Sequence, residues 1–275
     1  MMHVFGAAVS FAAMAALVKW AASRLPVFEV VFARSVAGCL MIVPLMVRRR
    51  VSFLGRDWGR LLLRGTSGAA AVCLYFFTLS KLPLGTAVML NFTSPIFSAL
   101  LATLFLKERP GFFLWVMIWL SFFGLFLLTE ARLFSADLYV LCGLASGIFA
   151  AIATVAIRSV HHTESPLTII FYFTFIATVA SAFFLPRNFR WPDAREWLAL
   201  GGIAVTSFYG QLWFTVAFRQ APASLLSPFS YLTPAFSFLL GIFIWQEPMT
   251  PFTLLGALII IFAGSCVSLR EAISS

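Results

Sequence analysis

Arg34 lies about seven residues into an apolar run that begins near residue 27, roughly 10 Å along a helix axis at about 1.5 Å of rise per residue. A charge that deep in lipid faces the interior of a helix bundle and needs a partner. A guanidinium there can hold a substrate carboxylate or phosphate in a bidentate fork. It can equally pair with carbonyls or with a carboxylate such as Glu29, which is a structural role. Lys19 lies nearer the end of its run and either snorkels to the interface or places a cation at the outer mouth. Arg158 holds the corresponding position in the second half of the chain, at the inner mouth.

Glu108 and Glu247 each close an apolar run. A carboxylate at a helix C-terminus opposes the macrodipole and so requires another partner. Basic side chains, or the N-termini of the helices beginning near Gly111 and Pro251, would serve, and both glutamates read as structural latches. Trp20, Tyr75, Tyr172, Tyr209, Gln211, Trp213 and Tyr231 combine an apolar face with a hydrogen-bonding group. Such side chains build pockets in membrane proteins, and they also serve plain packing. Asn91, Ser94, Ser98 and Ala102 recur on one helical face beside Pro95, and Ser227, Ser230, Ser237 and Gly241 recur likewise around Pro234. Small residues let membrane helices approach closely, and polar ones can also line a cavity. Asn91 and Ser230 favour the cavity. Proline removes a donor and frees a carbonyl four residues earlier, which lipid tolerates only where protein or water is near.

The elements that must position these groups follow from composition. The chain is 61% hydrophobic and 11% charged, with 32 phenylalanines and a mean hydropathy of +0.99. That is too little charge to cover a soluble domain. Continuous apolar runs, not alternation, select helices over a barrel. About ten spans are expected, at 3–22, 27–47, 61–80, 84–106, 112–129, 137–157, 166–186, 197–217, 224–245 and 251–269. The first is read as a retained helix, not a signal peptide. Short breaks at 23–26 and 81–83 make neighbouring helices antiparallel.

With the N-terminus inside, 11 Lys and Arg residues, Arg64 among them, fall in cytoplasmic breaks and 6 in outer ones. That bias places both termini in the cytoplasm. Trp20, Trp58, Trp115, Trp191, Trp197 and Trp245 lie near span ends, as an interfacial belt does. The net charge of +9 is distributed between apolar runs with no aromatic-basic pattern, which excludes nucleic acid as a partner.

The stretch from Asn91 to Arg109 aligns without gaps with Ser230 to Pro248 at an offset of 139. Pro83, Pro95 and Glu108 meet Pro222, Pro234 and Glu247, and Lys19 meets Arg158. Five spans per half is an odd number, so the halves are inverted. Inverted repeats are characteristic of secondary transporters, in which two half-sites give alternating access. The expected units are 1–134 and 135–275.

"FEVVFARSVAGCLMIVPL", "LPLGTAVML…TSPIF" and the closing "LKER", with "APASLLSPFSYLTPAFSFLLGIFIWQEP" in the second half, resemble the EamA-type members of the drug/metabolite transporter superfamily. The resemblance covers nearly the whole chain. It implies an all-α membrane protein of ten transmembrane helices in two inverted five-helix repeats around a central cavity. It also implies cytoplasmic termini in a bacterial inner membrane and ATP-independent movement of a small polar metabolite, amino-acid-like or nucleotide-like. The expected partners are that small molecule and the lipid bilayer, with a second copy of the chain as a candidate. The second half departs from the pattern at one point: the offset places Phe173 where Arg34 stands, so the site is asymmetric.

No HExxH, paired catalytic aspartates, Ser/His pair or GxxxxGK[ST] occurs, which argues against an intramembrane enzyme and against ATP-driven pumping. Cys39, Cys73, Cys142 and Cys266 are scattered, and His3, His161 and His162 have no ligand spacing, so no metal or cofactor is implied. Carboxylates are scarce within the spans, which favours exchange or facilitated flow over proton coupling. A passive channel remains the alternative, although channels generally ring a pore with subunits.

Overall fold

The computed structural model describes residues 2–94, 96–98, 100–101, 112–128, 137–160, 163–185, 189–220 and 231–274. Within them the chain forms ten helices: α1 (Met2–Ala22), α2 (Val27–Arg48), α3 (Trp58–Leu79), α4 (Leu84–Asn91), α5 (Phe112–Leu128), α6 (Leu138–Val160), α7 (Pro166–Phe184), α8 (Ala194–Gln220), α9 (Leu232–Trp245) and α10 (Pro251–Ser274). Five of them (α1, α2, α3, α6 and α7) contain windows long and apolar enough to cross a bilayer by length and composition. No strand occurs among the described residues.

Local chemistry fixes the helix ends. Asp57 caps α3 by accepting from the Arg60 N–H at 3.3 Å. Ser165 accepts from the Leu167 N–H ahead of α7, with Pro166 in the first turn, where its missing donor costs nothing. Asp193 and Glu196 form a reciprocal capping box at α8: each carboxylate accepts from the other's N–H at 2.8 Å. α9 closes on Gln246, which sits in the left-handed region at φ 53°, and the Glu247 N–H reaches back to the Gly241 carbonyl at 3.2 Å.

α4 ends at Asn91, and a turn at Phe92 and Thr93 precedes further helical residues from Ser94. The Thr93 hydroxyl donates to the Leu90 carbonyl at 2.6 Å, satisfying an acceptor that the break exposes. Gly147 of α6 packs onto this break, where a Cβ would meet the Leu90 carbonyl and the Thr93 hydroxyl. This break falls at 92–93; Pro95, where the irregularity was expected, lies outside the described residues, as do Ala102, Glu108, Ser227 and Ser230. Pro234 sits in the first turn of α9. α2 carries an internal proline at Pro44 that the sequence reading passed over.

The helices pack in a definite pattern. α3 runs along α6, and α1 along α8; α2 lies against α7, α5 against α10 and α4 against α9. α3 also meets α7 and α2 meets α8, while α1 meets α9 and α4 meets α6. Large apolar side chains face outward, with Phe112, Phe183 and Phe243 at least 80% exposed. Ser35, Thr78, Ser146, Thr168, Ser181 and Ser237 are buried. An apolar exterior around a hydroxyl-bearing interior is the arrangement that lipid as solvent selects.

Candidate functional site

A cavity of about 490 Å³ opens where α2, α7 and α8 diverge. That volume suits a small metabolite. Arg34 and Ser207 lie at one end, and the lining continues past Gly38, Ile42, Phe173 and Thr174 to Arg49, Val51 and Ser165. Arg49 is exposed at the C-terminal end of α2, so the cavity reaches the membrane face on which α2 ends and α7 begins. Pro44 lies between the lining residues Ile42 and Leu45, so its helix irregularity borders the cavity.

Arg34 is 6% exposed. Its Nε donates to the Ser207 hydroxyl at 2.8 Å, and that hydroxyl donates to the Met14 sulfur. Its guanidinium carbon stands 5.5 Å from the Phe173 ring centroid and 5.8 Å from that of Phe76. Among the described residues no carboxylate pairs with it. Glu29, the partner considered from sequence, is turned elsewhere: its Oε2 accepts from the Arg190 N–H at 3.3 Å. Arg190 also reaches Glu196 and the Arg24 carbonyl, tying the α7–α8 connection over the start of α2.

At the opposite membrane face a second cluster joins three helices. Lys19 of α1 pairs with Glu247 at 2.6 Å, with both side chains largely buried, and also donates to the Leu82 carbonyl at 2.6 Å. The other Glu247 oxygen accepts from the Leu84 N–H at 2.7 Å, at the N-terminus of α4. The Trp245 ring lies 5.7 Å from the ammonium. One carboxylate therefore meets both a cation and a positive helix end, which answers its own unfavourable position at the end of α9.

The remaining sequence candidates are dispersed. Gln211 lines the cavity. Tyr172 donates to the Leu54 carbonyl at 2.8 Å and Thr168 to that of Ser52, holding the α2–α3 loop on α7. Glu164 accepts from the Arg56 N–H, and from that of Asp57 at 2.7 Å, on the same side. Asn91 donates to Ser146 of α6 at 3.1 Å, and Ser94 is half-buried. Tyr75 is buried in the main core, and Tyr231 is buried with its hydroxyl unpartnered. Trp20 stacks under Arg24, Trp213 packs on Gly6 of α1, and Tyr209 is exposed beside Trp213. The Arg158 side chain lies outside what is described.

Sequence reasoning missed Ser207, Thr174 and Arg64 as neighbours of the site. It grouped Arg64 with loop charges, but α3 begins at Trp58, and Arg64 is buried with its guanidinium 4.7 Å from the Phe173 centroid. The assigned start of the third span, residue 61, already allowed this.

Residues 1–130 and, separately, 137–269 match the family described as the EamA-like transporter family. The chain is 34% identical to the pseudopaline exporter CntI of Pseudomonas aeruginosa, over 96% of this chain and 93% of that one. It is 27% identical to the S-adenosylmethionine uptake transporter of Rickettsia conorii, over 92% and 86% of the two chains. With the riboflavin transporter of Vibrio cholerae it shares 24% identity over 96% and 91%. A solved crystal structure covers 99% of this chain with 97% of its own, at a TM-score of 0.68 and 18% sequence identity, a likeness of fold.

Proposed function

Because the chain belongs to the EamA-like transporter family, we propose that it is an ATP-independent secondary transporter that carries a small anionic metabolite by alternating access. It is an integral membrane protein and a transporter, not an enzyme. The observation that carries the proposal is the cavity itself: about 490 Å³ of space ending at a buried guanidinium that lacks a carboxylate partner among the described residues. A buried charge is costly unless paired. A substrate carboxylate or phosphate completes it.

The proposed frame is ten transmembrane helices in two inverted five-helix units, 1–134 and 135–275. Packing supports this. Exchanging α1–α5 for α6–α10 turns the α3·α6 pair into α8·α1, α3·α7 into α8·α2 and α1·α9 into α6·α4; α2·α7, α4·α9 and α5·α10 map onto themselves. Residues 139 apart also meet on the self-related pair α2·α7: Arg34 faces Phe173, and the Cys39 sulfur lies 3.8 Å from the Thr178 hydroxyl. With both termini in the cytoplasm of a bacterial inner membrane, the cavity opens inward and the Lys19–Glu247–Leu84 cluster closes the outer end. Arg34 and Gln211 then contact substrate, while Lys19 and Glu247 act as a gate.

The relative at 34% identity is named an exporter, which makes export the direction to examine first. Protein reconstituted in liposomes preloaded with a cell metabolite extract should show saturable counterflow, and Arg34→Ala should abolish it while insertion and monodispersity are retained. Linear, non-saturating flux indicates a channel and overturns the reading. Undiminished counterflow in Arg34→Ala removes Arg34 from the site.

A further inference from the structure

Phe173 is flanked by two cations. The Arg34 guanidinium lies 5.5 Å from its ring centroid and that of Arg64 lies 4.7 Å away. The two charges are therefore no more than about 10 Å apart, the limit set by those distances. Both residues are buried, Arg34 at 6% and Arg64 at 9% exposure. Among the described residues neither has a carboxylate partner, and Nε of Arg64 has no hydrogen-bond partner. The fold keeps room for this arrangement. A Cβ on Gly68, one turn after Arg64, would strike both the Arg64 guanidinium and the Phe173 ring.

A ring quadrupole compensates a cation only partly. Two like charges, desolvated and sharing one aromatic side chain, leave a local excess of positive charge. Nothing described on α2, α3, α7 or α8 neutralises it. Phe173 lines the cavity together with Arg34, while Arg64 lies against the same ring and is not among the lining residues.

Resting on the transporter reading above, we infer that Arg64 is a second anion-recognition residue of this cavity, so that the preferred cargo carries two acidic groups. One group meets Arg34 at the cavity end. The other draws on Arg64 once the Phe173 ring swings aside. The cargo class is a compact dianion, either a dicarboxylate or a phosphate monoester that also bears a carboxylate.

Paired probes of one skeleton test this: glutarate against its monoamide glutaramate, and phosphoserine against serine. Thermal stabilisation of the full chain in nanodiscs and inhibition of counterflow are read for each. The diacid of a pair should act at concentrations about tenfold lower than its partner, as a charge-assisted fork requires. Arg64→Gln should erase that preference while leaving the weaker response to glutaramate or serine within about twofold. Preference in the first pair points to a dicarboxylate and in the second to a phosphate. Gly68→Ala, which displaces the guanidinium without removing it, should reproduce the loss in part.

Equal responses to both members of both pairs, including none, overturn the inference. So does an Arg64→Gln variant that weakens both members of a pair alike, which would mark Arg64 as a prop for Phe173. Saturable counterflow of extract solutes that ignores the second acidic group sinks this inference and leaves the transporter reading intact. Absence of saturable counterflow with any solute removes both.

Discussion

Glu247→Gln tests whether the Lys19–Glu247–Leu84 cluster holds the outer end shut. The carboxylate loses its charge but keeps its shape. In the structure its two oxygens meet the Lys19 ammonium at 2.6 Å and the Leu84 N–H at 2.7 Å, with the two charged side chains only 13% and 15% exposed. Two unit charges about 4 Å apart attract by about 4 kcal/mol at an effective dielectric of about 20. The glutamine amide recovers part of the hydrogen bonding, so a net loss of about 3 kcal/mol is a fair working figure, at the low end for breaking a buried pair. If the cluster exists only with the outer end closed, all of that loss falls on the closed state. The ratio of outward-open to closed molecules then rises by about a hundredfold. Ala87 is fully buried one turn below Leu84 on α4. A cysteine placed there, with the four native cysteines replaced, reports the opening through its rate of reaction with a membrane-impermeant maleimide. Labelling should accelerate at least tenfold in Glu247→Gln, and Lys19→Met should add little to it, because both remove the same pair. A lowered melting temperature with unchanged labelling would mean that the cluster is only a structural tie, and the gating argument would fall.

Two further outcomes probe the frame. Glu164→Ala removes the acceptor for the Arg56 and Asp57 N–H groups that open α3, costing about 2 kcal/mol and lowering the melting temperature by several degrees; an unchanged melting curve would refute that role. Gly256→Val forces a Cβ onto the Gly124 carbonyl and the Leu128 backbone, so the α5·α10 contact should lose about 3 kcal/mol and the detergent-purified protein should aggregate at lower temperature. Wild-type stability in that variant would mean that these helices do not pack as closely as described.

Element positions were legible because span length and break chemistry are local. The predicted spans at 27–47, 166–186 and 251–269 begin on the observed first residues of α2, α7 and α10, each set by a proline or a short polar break. Side-chain direction was not legible. Tyr209 and Gln211 are two residues apart on α8, yet one is exposed beside Trp213 and the other lines the cavity. Only the rotation of α8 against α1 and α2 separates them. The partner of Glu247 was equally hidden, since the N-terminus it caps belongs to α4, more than 160 residues earlier in the chain. Arg64 escaped notice because it was counted with the basic residues of the preceding loop, Arg56 and Arg60, while its neighbours in space are Gly68 and Phe173.

The departure from symmetry at Phe173 has a physical reason within the proposed repeat. A residue close to the axis of a twofold-related helix pair faces its own counterpart, as Arg34 faces Phe173 here. An arginine at both positions would set two guanidinium groups about 6 Å apart, repelling by about 3 kcal/mol at an effective dielectric of about 20. A phenylalanine in one place turns that repulsion into a cation–π attraction of about 1–2 kcal/mol in a desolvated setting. The axis can therefore carry one arginine and one ring at lower cost than two arginines. The second cation then has to come from a different helix, and the guanidinium of Arg64 on α3 stands 4.7 Å from the centroid of the same ring. Under the proposed inverted repeat, both inferred anion-binding cations belong to the first half, and a duplicated scaffold would then offer its cargo one preferred orientation.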